Sequence, residues 1–207
     1  PKILVVYKDK ECESILPKFY GQIKHMAANK TTQEKVKDIT LPVEEIKEGE
    51  NYDIFLDTKY YTAEVQFVFY RFHKDDIDDI INSVDNINVI IYLFTLTEDL
   101  EEYIKNISEM IDKANAEISL LIHDSSDDKL PDKYEKSINE LWIEQFVELI
   151  RTNVLKEVDD TVEKSYGMLN QDKVGIDRLV EALQCNMWSN MAQKSMKQVN
   201  QASAPPV

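Results

Sequence analysis

The sequence predicts an α/β domain built on a largely parallel β-sheet. Three observations lead there. Past residue 76, stretches with helical spacing alternate with short apolar, β-branched stretches, the pattern of parallel strands joined by helices. Upstream, residues 52–57 and 60–70 are both rich in aromatic and β-branched side chains and only Thr58-Lys59 separates them, the spacing of a tight antiparallel hairpin. The 207 residues, 43% of them hydrophobic, suit one compact domain with a substantial core.

Residues 2–7 (KILVVY) read as a buried strand. A helix follows, capped by Ser14, with Pro17 tolerated in its first turn and Leu16, Phe19, Tyr20, Ile23 and Met26 at helical spacing. Residues 29–51 are polar and read as a loop. After the hairpin, whose turn lacks the usual glycine, Ile77, Ile80, Ile81 and Val84 mark a short helix. The acidic run Asp75-Asp76-x-Asp78-Asp79 lies at its start, where carboxylates favour the helix dipole. Residues 88–94 (NVIIYLF) form a buried strand, and Thr95-x-x-Glu98 is a capping-box pattern. It opens a long helix whose stripe includes Leu100, Tyr103, Ile104, Ile107, Ile111 and Ala114. Residues 117–122 (EISLLI) are the next strand, Pro131 starts a helix through Tyr134, Ile138, Leu141 and Trp142, and residues 145–150 (QFVELI) are the sixth strand. Within 152–172, Val154, Val158, Val162, Tyr166 and Leu169 keep near-helical spacing, which predicts an inserted amphipathic helix ending near Gly167. In the last helix Ile176, Leu179, Val180, Leu183 and Met187 form the core stripe, and past Met191 the chain turns polar and is expected to fray.

Six strands, one antiparallel pair and helices on both faces make the arrangement of the small-GTPase fold. Residues 1–194 are assigned to that domain and residues 195–207 to a polar tail. Charge narrows the partners: 39 Asp and Glu against 24 Lys and Arg leave a net −15, which repels nucleic-acid phosphates and anionic lipid headgroups. No apolar run reaches the length of a membrane span and no secretory signal is visible at the start, so a cytosolic location and no membrane insertion are expected. Cys12 and Cys185 lie far apart and outside any CxxC pattern, which argues against a disulfide scaffold or a zinc site.

Residues 57–64 (DTKYYTAE) and 175–190 (GIDRLVEALQCNMWSN) resemble the two best-defined segments of the alpha- and gamma-adaptin-binding protein family. The second segment carries the specific string RxVxALxxNxWxN. The resemblance covers residues 1–194 and implies a Ras-like domain that has lost nucleotide hydrolysis. It also implies a role in assembling clathrin adaptor complexes by holding their alpha, gamma or sigma subunits. The segment at 152–172 departs from the family. The carboxy-terminal helical region through which members self-associate has no counterpart in these residues, so self-association is not carried over to this chain.

The residues themselves bear on nucleotide binding. The four glycines, Gly21, Gly49, Gly167 and Gly175, include no pair spaced for GxxxxGK[ST], GxGxxG or GxSxG. Lys8-Asp9-Lys10-Glu11-Cys12-Glu13-Ser14 places acidic residues where phosphates would sit. Tyr70-Arg71-Phe72-His73 replaces DxxG, and His123-Asp124-Ser125-Ser126-Asp127 replaces NKxD. His123, Asp124, Asp127 and Asp128 read as a solvated acidic loop rather than a metal cluster, and His25, His73 and His123 are scattered. No catalytic, cofactor-binding or metal-ligating residue is expected.

Four residues are candidates for partner contact: Lys59, Tyr60, Tyr61 and Trp188. Tyr60 and Tyr61 alternate across a strand, so one packs inward and the other faces out, on a hairpin that presents an edge strand as the effector side of Ras-like folds does. Trp188 projects about 100° from Met187 around a helix, which predicts a partly exposed residue at the rim of the domain serving both stability and binding. The expected function is a non-catalytic, GTPase-like domain that binds adaptor subunits. A degenerate G protein that still holds guanine nucleotide, and a scaffold with unrelated partners, are the alternatives.

Overall fold

The computed structural model describes residues 1–28, 45–73, 76–95, 100–124, 132–152, 154 and 174–194. The elements run β1 (Lys2–Tyr7), α1 (Lys10–Ala28), β2 (Asn51–Asp57), β3 (Tyr61–Arg71), α2 (Ile77–Ser83), β4 (Ile87–Phe94) and α3 (Leu100–Ala114). They continue with β5 (Ile118–Asp124), α4 (Asp132–Gln145), β6 (Glu148–Thr152), α5 (Gly175–Cys185) and β7 (Ala192–Gln193). The strands lie in the order β2-β3-β1-β4-β5-β6, parallel except where β2 meets β3. This is a Ras-like α/β arrangement.

Period-two alternation splits the core into two layers. Ile3, Val5 and Tyr7 of β1 face α1 and α5, while Leu4 and Val6 face α2, α3 and α4. Because helices cover both faces, a central strand has no solvent side, and β4 is buried from Asn88 through Phe94. The hairpin is fixed to α1 by aromatic packing: Tyr20 meets Tyr52, Phe67 and Phe69 edge-on with ring centroids 5.5–6.2 Å apart. Its hydroxyl donates to the Asp53 carbonyl at 2.8 Å.

Several boundaries differ from the sequence reading for local reasons. Asp9, not Ser14, caps α1: its carboxylate accepts from the Glu11 and Cys12 amides at 3.0 Å each, which starts the helix at Lys10. Pro17 therefore lies inside the helix rather than in its first turn. The third strand starts at Tyr61 rather than at Tyr60. β5 runs on to Asp124, so His123 and Asp124 are buried strand residues and not part of a solvated loop. β6 begins at Glu148, and Phe146, read as strand, instead holds a left-handed φ of 56° between α4 and β6. The chain does not fray after Met191 but adds β7 antiparallel to β3, through Tyr61↔Gln193 and Thr62↔Ala192. Most of the predicted insert at 152–172, the tail at 195–207, Glu98 of the capping box, and Asp75, Asp127 and Asp128 lie outside the described residues. Among the described residues no helix is long and apolar enough to cross a membrane.

Candidate partner-binding site

The β2–β3 turn is built without glycine because Thr58 supplies the hydrogen bonds. Its backbone amide and its hydroxyl both donate to the Tyr61 carbonyl, at 2.9 and 2.8 Å, and its hydroxyl oxygen accepts from the Tyr61 amide at 2.9 Å and the Tyr60 amide at 3.2 Å. The alternation expected of the two tyrosines holds. Tyr60 is 64% exposed, with the Lys59 ammonium 5.5 Å from its ring centre, whereas Tyr61 is buried.

Tyr61 points at the end of α5. Its hydroxyl donates to the Gln184 carbonyl at 2.5 Å, and the Asn186 carbonyl lies 3.4 Å away. Burial raises the phenol above its ordinary pKa. Trp188 closes the same junction: it is 2% exposed and its indole N–H donates to the Leu183 carbonyl at 2.9 Å. The expected partial exposure is thereby corrected. α5 ends at Cys185 and Asn186 is extended (φ −73°, ψ 149°), so the 100° helical offset does not apply beyond it. Side chains of an extended segment alternate, which turns Trp188 inward and leaves Met187, expected in the core stripe, exposed.

The segment after Trp188 finishes the tie. The Asn190 amide donates to the Glu64 carbonyl at 2.6 Å and the Lys194 backbone N–H to the Tyr60 carbonyl at 2.8 Å. The Lys194 ammonium pairs with the Asp57 carboxylate and donates to the Thr58 carbonyl. At the other end of α5, Arg178 forks onto Glu148 at 2.6 and 2.8 Å and reaches Glu181 at 2.7 Å, so each marked position of RxVxALxxNxWxN is either buried or bonded within the fold. Of the four candidates, Lys59 and Tyr60 face solvent, while Tyr61 and Trp188 support the hairpin from behind. Phe55, which the sequence reading passed over, is exposed on β2 of the same hairpin, cross-strand from Glu64. Among the described residues no strand pairs with the outer edge of β2.

The edge of the sheet where parallel strands end is the place at which α/β folds bind ligands. Here β1 passes into α1 through Lys8-Asp9 alone, and the Asp9 carboxylate occupies the first free amides of the helix. Thr95 donates toward Glu11 at 3.3 Å, and the Tyr7 hydroxyl donates to Glu48 at 2.7 Å. Cys12, buried behind them, has its thiol pushed up to about 12, mainly by burial. At the end of β5, Asp124 accepts from the Thr152 hydroxyl and the Val154 amide at 2.8 Å each, and His123 stacks on Phe94 with centroids 5.0 Å apart. Among the described residues no group of three His, Cys, Asp or Glu side chains is placed to hold a metal ion.

No protein-family model matches the chain, and no curated protein sequence does. Among solved structures the chain is similar to yeast Irc6p, described as a novel type of conserved clathrin accessory protein. The match has a TM-score of 0.54 and 14% identity and covers 94% of this chain and 96% of Irc6p. At that identity the likeness is one of fold.

Two outcomes follow from this geometry. Trp188→Ala removes a buried indole and lowers unfolding free energy by about 3–5 kcal/mol in chemical denaturation, against less than about 0.5 kcal/mol for exposed Met187→Ala. His123 gives a pH dependence: burial, then the Arg151 charge, lowers its pKa below 6.5 despite Asp124, so the folded protein holds it neutral. As pH falls below about 6.5 the unfolded chain takes up a proton that the folded one refuses, and stability drops. Urea midpoints between pH 7.5 and 5.0 should fall more steeply for the wild type than for His123→Phe. Parallel curves would remove His123 from the account.

Proposed function

We propose that this chain is a non-catalytic, nucleotide-free Ras-like domain that binds clathrin adaptor subunits of the alpha, gamma or sigma kind in the cytosol and assists their assembly. The observation that carries this reading is the likeness of fold, over nearly the whole of both chains, to a clathrin accessory protein. The resemblance of residues 57–64 and 175–190 to the adaptin-binding family narrows the partner from a pathway to particular subunits. The β1–α1 junction supports the loss of nucleotide, since Asp9 fills the amide positions that a phosphate would need and adds a like charge there. The docking surface in this reading is the hairpin end with Lys59, Tyr60 and Phe55, while Tyr61 and Trp188 hold it in shape.

Co-expression with adaptor alpha, gamma and sigma subunits tests the reading directly. At least one subunit should become soluble and elute with this chain, and Tyr60→Ala should weaken that complex about tenfold or more with stability changed by less than about 0.5 kcal/mol. Calorimetry of the free chain with GTP or GDP and magnesium should show no heat of binding at millimolar ligand. Subunits that stay insoluble and unbound would end the adaptor reading. Micromolar nucleotide affinity would favour a degenerate G protein in its place.

A further inference from the structure

The last turn of α4 breaks three rules of a free, stable helix end within five residues. Trp142, Ile143 and Phe146 are 59%, 67% and 86% exposed, and the backbone N–H of Phe146 closes the last turn by donating to the Trp142 carbonyl at 3.1 Å. Phe146 occupies, with φ 56°, the left-handed position after the helix where glycine or asparagine is favoured. Glu144 stands at the negative end of the helix dipole, in a last turn that holds no basic residue. Each choice costs the isolated domain stability. Local rules broken together, with no gain inside the fold, mark a place used for something else.

We infer that the C-terminal end of α4 is a docking surface for an amphipathic segment of another protein, one that presents apolar side chains flanked by lysine or arginine. The apolar anchors would cover Trp142, Ile143 and Phe146. Their basic neighbours would meet Glu144 at the negative end of the helix dipole and Asp112 at the rim, which accepts from the Gln145 side-chain amide at 2.9 Å, while Glu140 one turn back already lies 3.9 Å from Lys136. Charge decides among the occupants that an exposed aromatic patch could take. A second copy would bring the same acidic rim and the same net −15, and an anionic bilayer carries the same sign. Only a basic partner gains from all of these features. The surface shares no residue with the hairpin end and does not rest on the adaptor reading, so either can fail alone.

The test uses the whole chain and two designed 18-residue helical peptides, one of leucine and lysine and one of leucine and glutamate, with leucines at i, i+3, i+4 and i+7. The chain has two tryptophans and Trp188 is buried, so emission quenched by acrylamide reports Trp142. The leucine–lysine peptide should shift that emission to the blue and protect it from acrylamide. Phe146→Gly and Glu144→Lys should each weaken its binding at least tenfold, whereas Glu101→Lys, at the far end of α3, should not. Phe146→Gly should also leave the urea midpoint no lower than that of the wild type. Equal binding of the leucine–glutamate peptide, wild-type affinity in Phe146→Gly, a dimer in sedimentation that this variant abolishes, or Phe146-dependent binding to phosphatidylserine vesicles would each overturn the inference.

Discussion

The bond from the Tyr61 hydroxyl to the Gln184 carbonyl joins positions 123 residues apart in the chain, and the hairpin end of the molecule depends on it and on the Trp188 side chain packed beside it. Closing a long loop costs slowly more with length, about 0.6 kcal/mol per doubling, so a few buried contacts suffice to hold such distant segments together. Around this junction Asn190, Lys194 and β7 lay the end of the described chain along β3, on the opposite side from β2. The hairpin is thus braced along the β3 edge and from behind, while the Lys59 and Tyr60 side chains at its tip and the outer edge of β2 stay open among the described residues. A rigid support behind an exposed Tyr60 is what a docking surface requires, because less conformational entropy is then lost on binding.

A second constraint operates at the opposite edge of β1. A two-residue passage from strand to helix leaves no loop in which backbone amides could wrap phosphates, and Asp9 turns the amide-rich start of α1 into a satisfied cap. The same carboxylate that stabilises the helix opposes an incoming anion. Stability and exclusion of a phosphate at this point are therefore one interaction seen from two sides.

Much of the architecture was legible because two-sided burial writes itself as uninterrupted β-branched runs and amphipathic helices as a stripe, which is why β1, β4 and α3 emerge almost residue for residue. What escaped were helix ends. Ser14 and Asp9 are both good caps, and only tertiary placement chooses Asp9. The last turn of α5 looked continuous through Met187, but the chain extends at Asn186, which exchanges the environments of Met187 and Trp188. Within the string that carries the family resemblance, Trp188 was expected at the rim with a share in binding, yet the fold uses it, with Arg178 and Asn190, to hold itself together. The exposed end of α4 did leave a signal: Leu141, Trp142 and Ile143 are consecutive, and three neighbours on a helix cannot all share its buried face.

The C-terminal segment is an integral part of the hairpin end of the sheet. Native-state hydrogen exchange measures this directly through the amides of Tyr61, which bonds to Thr58, and of Met191 and Lys194, which bond to the Trp188 and Tyr60 carbonyls. These three should exchange as slowly as amides within β3 and lose protection together with them as urea is raised. Fast exchange of the Met191 and Lys194 amides while β3 stays protected would show that the chain end only rests on the hairpin, and would contradict the account.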